Sequence, residues 1–156
     1  MADPIPCGMH SITPHIIVNG AAKAVEFYKR VFGAEQIGPV STMPDGKVMH
    51  AHLKIGDSHL MMADEFPQGS CRSPQSLGGS PVVLTLYVTD VDATWKKATE
   101  AGAKVVFPLS NQFWGDRYGQ VADPFGHVWA LATHIEDLTP AEIEQRAKSM
   151  FAQMGK

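Results

Sequence analysis

Two hydrophobic periods follow one another along this chain, first a period of two and then a helical period of 3.6, and the same succession occurs twice. Ile16 and Val18 share one side of an extended run over residues 12–18. Then Ala22, Val25, Phe27, Tyr28, Val31 and Phe32 recur at helical spacing, and Gly33 supplies a left-handed stop. Residues 35–42 predict a strand, Met43 to Lys47 a hairpin turn around Pro44 and Gly46, residues 48–55 an alternating strand, and residues 59–64 a last strand after the turn Gly56-Asp57-Ser58. The pattern restarts some seventy residues on. Residues 82–88 predict a strand, residues 90–101 a helix capped by Thr89 or Asp90, and residues 105–109 and 118–122 two more strands. The turn Asp123-Pro124-Phe125-Gly126 leads into a final strand over 127–133. Thr139, Pro140 and Glu142 open an amphipathic tail helix.

The expected architecture is α+β, one domain over residues 1–156 built from two tandem βαβββ modules, 12–65 and 82–135, with a C-terminal helix over 138–154. Residues 66–81 are so rich in Pro, Gly and Ser that they predict a linker or a flexible lid. A chain of 156 residues can bury a core without disulfides or a structural metal. Thirteen basic against sixteen acidic residues leave a net charge of -3 and no basic cluster, which argues against a nucleic-acid partner. No basic segment leads into an apolar stretch at the start, and no apolar run reaches membrane-spanning length, so the expectation is a cytoplasmic protein with no membrane association. Cys7 and Cys71 both lie in Pro/Gly/Ser-rich stretches, a placement that suits a reducing compartment rather than a disulfide framework.

A repeated βαβββ module with an Asp-Pro-x-Gly turn before its last strand resembles the vicinal oxygen chelate superfamily, that of glyoxalase I, bleomycin-resistance proteins and extradiol dioxygenases. The segments Phe27 to Ala34, Trp114 to Gly119, Asp123 to His127 and Ala132 to Asp137 are similar to its PhnB-like subgroup. The resemblance covers about residues 12–135. It implies a ligand cavity between modules, a homodimer, and in the metal enzymes a ligand on the first and last strand of each module. Carried onto this chain, those positions fall near Thr13, Met61, Val83 and Ala130, a hydroxyl and three apolar side chains that cannot hold a divalent ion. A methyltransferase label, attached to some relatives, finds no glycine-rich nucleotide-binding turn here.

Strand alternation supplies other candidates. If Ile16, Leu53, Leu60 and Met62 face a helix, then His15, His50, His52, His59 and Met61 face the opposite side, where imidazoles on neighbouring strands can either ligate zinc, nickel or iron (His15, His52 and His59) or form a half-wet polar surface. Thr85 and Tyr87 on the first strand of the second module are further cavity candidates. Trp114, Arg117 and Tyr118 offer an aromatic plane and a guanidinium for a flat or anionic ligand; alternatively Trp114 caps the mouth of the barrel and Arg117 pairs with Asp116 or Asp123. Trp129 and Leu131 are expected in the core, and His127 and His134 as structural hydrogen-bond partners. The function expected is metal-independent binding of a small organic molecule. The alternatives are a lyase, isomerase or dioxygenase using the histidine face, and an interaction protein with a vestigial cavity.

Overall fold

The computed structural model describes residues 1–155. The chain forms two compact units, residues 1–81 with 124–127, and residues 82–123 with 128 onward. The turn 124–127 thus belongs with the first unit although it lies between two strands of the second.

In the first unit the elements are β1 (His15–Val18), α1 (Ala21–Phe32), β2 (Glu35–Gln36), β3 (Ser41–Thr42), β4 (Val48–Ile55), β5 (Ser58–Asp64) and α2 (Pro74–Leu77). The sheet runs β1-β5-β4-β2, β1 parallel to β5 and the rest antiparallel, with β3 also on β4. The strand expected over 12–18 begins three residues late, since Ile12 is 88% exposed and Pro14 has no N–H for a ladder. The strand expected over 35–42 is broken into β2 and β3 around Gly38, at φ +70°, and Pro39. Alternation sends Ile16, Val18, Ala51, Leu53, Leu60 and Met62 under α1, whose Ala21, Ala24, Val25, Phe27, Tyr28 and Val31 are buried. Phe125 of the turn 124–127 adds its ring to Phe27 and Tyr28, at centroid distances of 6.0 and 6.3 Å. His127 Nε2 donates to the carbonyl of Ile17 over 2.7 Å.

Helix α1 has no cap of its own, because Gly20 stands where a Ser, Thr, Asp or Asn would. Asp64 takes over from the end of β5. Its Oδ1 accepts the N–H groups of Gly20 (2.8 Å) and Ala21 (2.9 Å), and its Oδ2 accepts that of Val48 (2.8 Å). One buried carboxylate therefore joins the start of the helix to two strands.

Residues 66–81, expected to be a linker or lid, contain α2 and a buried anchor. Ser73 is fully buried, and Glu65 Oε2 accepts from Ser73 N–H (3.1 Å), Ser73 Oγ–H (2.6 Å) and Ser76 Oγ–H (2.6 Å), while Arg72 Nε donates to Oε1 (2.6 Å). Gln75 Nε2 donates to the Pro124 carbonyl at 3.1 Å. The composition that spelled a free linker instead serves a tight Ser-Pro helix start folded onto an acid.

In the second unit the elements are β6 (Val83–Tyr87), α3 (Val91–Glu100), β7 (Lys104–Asn111), β8 (Asp116–Ala122), β9 (Val128–His134) and α4 (Pro140–Met154). The sheet runs β6-β9-β8-β7, β6 parallel to β9. This is the strand order of the first unit, so the α+β repeat with a C-terminal helix stands as the fold. Strand β7 reaches Asn111 despite Pro108 because it is an edge with irregular register around that residue. Trp129 and Leu131 are buried, on the side where α3 crosses β8 and β9, and Trp129 Nε1 donates to Asp123 (2.9 Å). Gly119 is needed on that side: a Cβ there would stand 2.6 Å from the ring of Trp95.

Two expected outcomes follow. Asp64→Ala leaves three backbone N–H groups without their acceptor and lowers unfolding free energy by about 3 kcal/mol, read from urea denaturation; a loss within experimental error contradicts the joint described above. The hydrogen bonds from Ser73, Ser76 and Arg72 hold the Glu65 carboxyl at about 2, so its contribution is complete above the ordinary unfolded value near ~4.3 and is lost as pH falls towards 2. Hydrogen exchange of residues 73–77 should quicken across that window in the native protein and lose this pH dependence in Glu65→Gln.

Candidate functional site

In each unit the helix covers one side of the sheet, and the other side holds the chemistry. On the first unit His15, His50, His52, His59 and Met61 do come to one face, since His15 pairs in register with Met61 and Met61 with His52. The ring of His50 stands edge-on to His15 at 6.1 Å, and His52 lies 4.8 Å from His59 with Nε2 and Nδ1 only 2.7 Å apart. Burial first, then the neighbouring imidazoles, pushes the His15 and His52 pKa values below the ordinary range. The N-terminal arm touches this row at Gly8, where a Cβ would lie 3.3 Å from His59 Nε2.

The second unit's open face is aromatic. In register, Thr85 and Tyr87 of β6 lie beside Ala130 and Ala132 of β9, which in turn face Gln120 and Tyr118 of β8. Small alanines form the floor, and rings form the rim. Trp114 meets Tyr118 edge-on at 5.3 Å, and Phe107 meets Tyr118 at 6.2 Å. Gln120 Nε2 donates to the Tyr118 hydroxyl oxygen (2.7 Å). The turn carrying Trp114 is fixed by Gly115, at φ +97°, whose position leaves no room for a Cβ beside the Glu136 carbonyl.

At one end of this face sits a hub that sequence reasoning passed over. Asp116 is 3% exposed, and its carboxylate accepts the Tyr87 hydroxyl (2.8 Å), the Trp114 indole N–H (3.0 Å) and His134 Nδ1–H (2.7 Å). Burial pushes the Asp116 carboxyl up, but the hydrogen bonds from His134, Tyr87 and Trp114 outweigh it and hold it below the usual carboxylate range. Tyr87 is raised by its bond to that carboxylate, then by burial. His134 is raised by Asp116 and next by Asp137, whose Oδ1 accepts from Nε2 at 3.0 Å. A buried acid thereby fixes the ring orientation of a half-exposed histidine. Extending the alternation of β8 back two residues, from Tyr118 to Asp116, would have placed this carboxylate on the open face.

Arg117 is the exception among the expected residues. Its position faces the helix side, where Nε and Nη2 clamp Asp92 (both 2.8 Å) and Nη1 donates to Asn111 (3.0 Å). It therefore neither joins the aromatic face nor pairs with Asp116 or Asp123; the bidentate partner is a helix carboxylate. Thr13, Met61, Val83 and Ala130, where the resemblance implies metal ligands, offer no carboxylate or imidazole, and among the described residues no three His, Cys, Asp or Glu side chains are placed to hold an ion. The residues present do not fit the superfamily's metal.

The dyad makes a direct expectation. Asp116→Asn removes the negative charge that raises His134, so the imidazole should titrate closer to ~6.5. The measurement is an NMR pH titration of the His134 Cε1–H, and an unmoved midpoint would show that Asp116 does not govern it. Because the folded value is raised, the stabilisation from this bond is present at low pH and lost as pH rises through the folded value.

Known proteins share both sequence and fold with this chain. An uncharacterised protein of Mycobacterium tuberculosis strain H37Rv is 46% identical over 142 residues, spanning 89% of this chain and 83% of its own length. The X-ray structure of the Arabidopsis thaliana At5g48480 product is 29% identical with a TM-score of 0.64, covering 80% of this chain and 98% of that one. The PhnB protein from Bacillus cereus, at 19% identity and a TM-score of 0.63 over 80% of this chain and 99% of that one, shares the fold. The sequence pattern of the Glyoxalase/Bleomycin resistance protein/Dioxygenase superfamily matches residues 8–131, and the chain belongs to that superfamily.

Proposed function

We propose that this protein binds a small, flat organic molecule on the open face of the second unit's sheet, without a metal at the superfamily's usual positions. The observation that carries the reading is the rigid Trp114–Tyr118 corner beside the Asp116 hub: the rings meet at 5.3 Å, and each is tied down by a hydrogen bond, Trp114 to Asp116 and Tyr118 to Gln120. Rings already fixed lose little entropy on ligand binding, and aromatic surfaces contribute area with directional contacts. Tyr87 and His134 supply polar ends to an apolar floor, the usual composition of a small-molecule site. Membership of a superfamily that includes bleomycin-resistance proteins agrees with this.

Two copies are proposed to associate. Val83 and Tyr87 on edge strand β6 and Val105, Val106 and Phe107 on edge strand β7 are all exposed, the kind of apolar edge that chains of this size pair or cover. The proposed compartment is the cytoplasm, in keeping with two free, exposed cysteines. Among the described residues no helix is long and apolar enough to cross a membrane.

The test uses 8-anilinonaphthalene-1-sulfonate, a flat aromatic anion, with the untagged chain. Saturable binding should quench tryptophan emission, survive chelators, and weaken roughly tenfold in Tyr118→Ala, as for loss of one aromatic contact worth up to about 1.5 kcal/mol. In Trp114→Phe the quenching should disappear while Trp95 and Trp129 still emit. Binding that neither substitution changes would refute this site. Native mass spectrometry of the same sample reads subunit number and any copurified organic adduct.

A further inference from the structure

The open face of the first unit carries a chemistry that the aromatic site does not use. His52 on β4 and His59 on β5 sit on adjacent antiparallel strands with Nε2 and Nδ1 2.7 Å apart. Two ring nitrogens at that distance hold one proton between two lone pairs. The next ring in the row, His50, lies 6.5 Å from His52, and the hydrogen bond between His52 and His59 is to each other and to no carboxylate. The residue paired with His59 in register is Lys54, a cation, and the residue paired with His52 is Met61. Gly8 covers the Nε2 side of His59, which leaves Nδ1 turned to its partner.

We propose that His52 and His59 form a two-imidazole chelate for a late first-row divalent cation such as nickel, copper or zinc, the ion taking the place of the proton the two rings share. Imidazole is the donor these ions favour. Metal–nitrogen bonds of about 2.0–2.1 Å put two ligands of a tetrahedral ion roughly 3.3 Å apart, so the two half-buried rings must part by roughly half an ångström and turn until both lone pairs point at the ion. The strand register sets the two rings side by side before the ion arrives. Water completes the coordination sphere, because no third His, Cys, Asp or Glu among the described residues is placed to join. The protein ligands of this site are none of Thr13, Met61, Val83 and Ala130, although Met61 pairs with His52 in register, and neither ligand is one of the residues of the aromatic face.

Isothermal titration of the untagged full chain with nickel chloride and with zinc chloride at neutral pH tests the assignment. One equivalent per chain is expected, at least about tenfold weaker in His52→Ala and in His59→Ala, and unchanged in His10→Ala on the exposed arm. Electron paramagnetic resonance of the copper-loaded, unsubstituted protein should show two coordinating imidazoles, a count that stands even if a variant fails to fold. Absence of saturable binding, affinity indifferent to both substitutions, or a spectrum with fewer than two imidazoles overturns the proposal.

Discussion

The carboxylate of Asp64 is the joint on which the first unit depends. It binds the first N–H groups of α1 and the first of β4 from the last residue of β5, so the helix can lie on only one side of the sheet. Once that side is closed, period-two alternation decides the rest. The same place in the second unit is taken by Thr133, whose hydroxyl accepts the Val91 N–H at 2.9 Å and donates to the Val88 carbonyl at 2.7 Å. A charge that replaces a missing helix cap becomes a hydroxyl where Asp90 already supplies the cap through Ala93.

Because each helix is pinned at its start, each sheet presents an opposite face that is free of backbone demands. What stands there is therefore set by side-chain chemistry. In the second unit the chemistry centres on a buried acid whose three hydrogen-bond donors come from β6, the turn before β8, and β9. Burying a carboxylate is costly unless every lone pair finds a donor. Here the donors orient a tryptophan, a tyrosine and a histidine in the same act, so the cost of burial secures the geometry of the face.

Much of this was legible in the sequence, and the limits have physical causes. The repeat, helices α1 and α3 and the four-histidine face followed from periodicity, since a strand that buries Leu53 and Leu60 must turn His52 and His59 the other way. The break between β2 and β3 needed the Gly38-Pro39 pair to be weighed against an otherwise strand-like run. The stretch 66–81 misled because composition records chain flexibility and not partners: Glu65, just before it, supplies the acceptor that folds Ser73 and Ser76 inward. Arg117 reads as either a ligand contact or a partner of Asp116 or Asp123, the acids nearest to it in sequence, and neither reading includes the helix carboxylate that it meets. Its true partner, Asp92, lies 25 positions away and arrives only through the packing of α3 on β8.

The two units show how one scaffold separates fold from chemistry. Counting back from the pinned helices, Val18 corresponds to Val88, and so His15 to Thr85, Met61 to Ala130 and His52 to Gln120. None of these three pairs conserves its chemistry, yet the strand order and the sense of pairing are identical. That is possible because the open face contributes little to closing the core: the residues that do, such as Val18, Leu53, Met62 and Leu131, lie under the helices and are fully buried. The imidazole row and the alanine floor with its aromatic rim are therefore free to differ without any change in the framework that carries them.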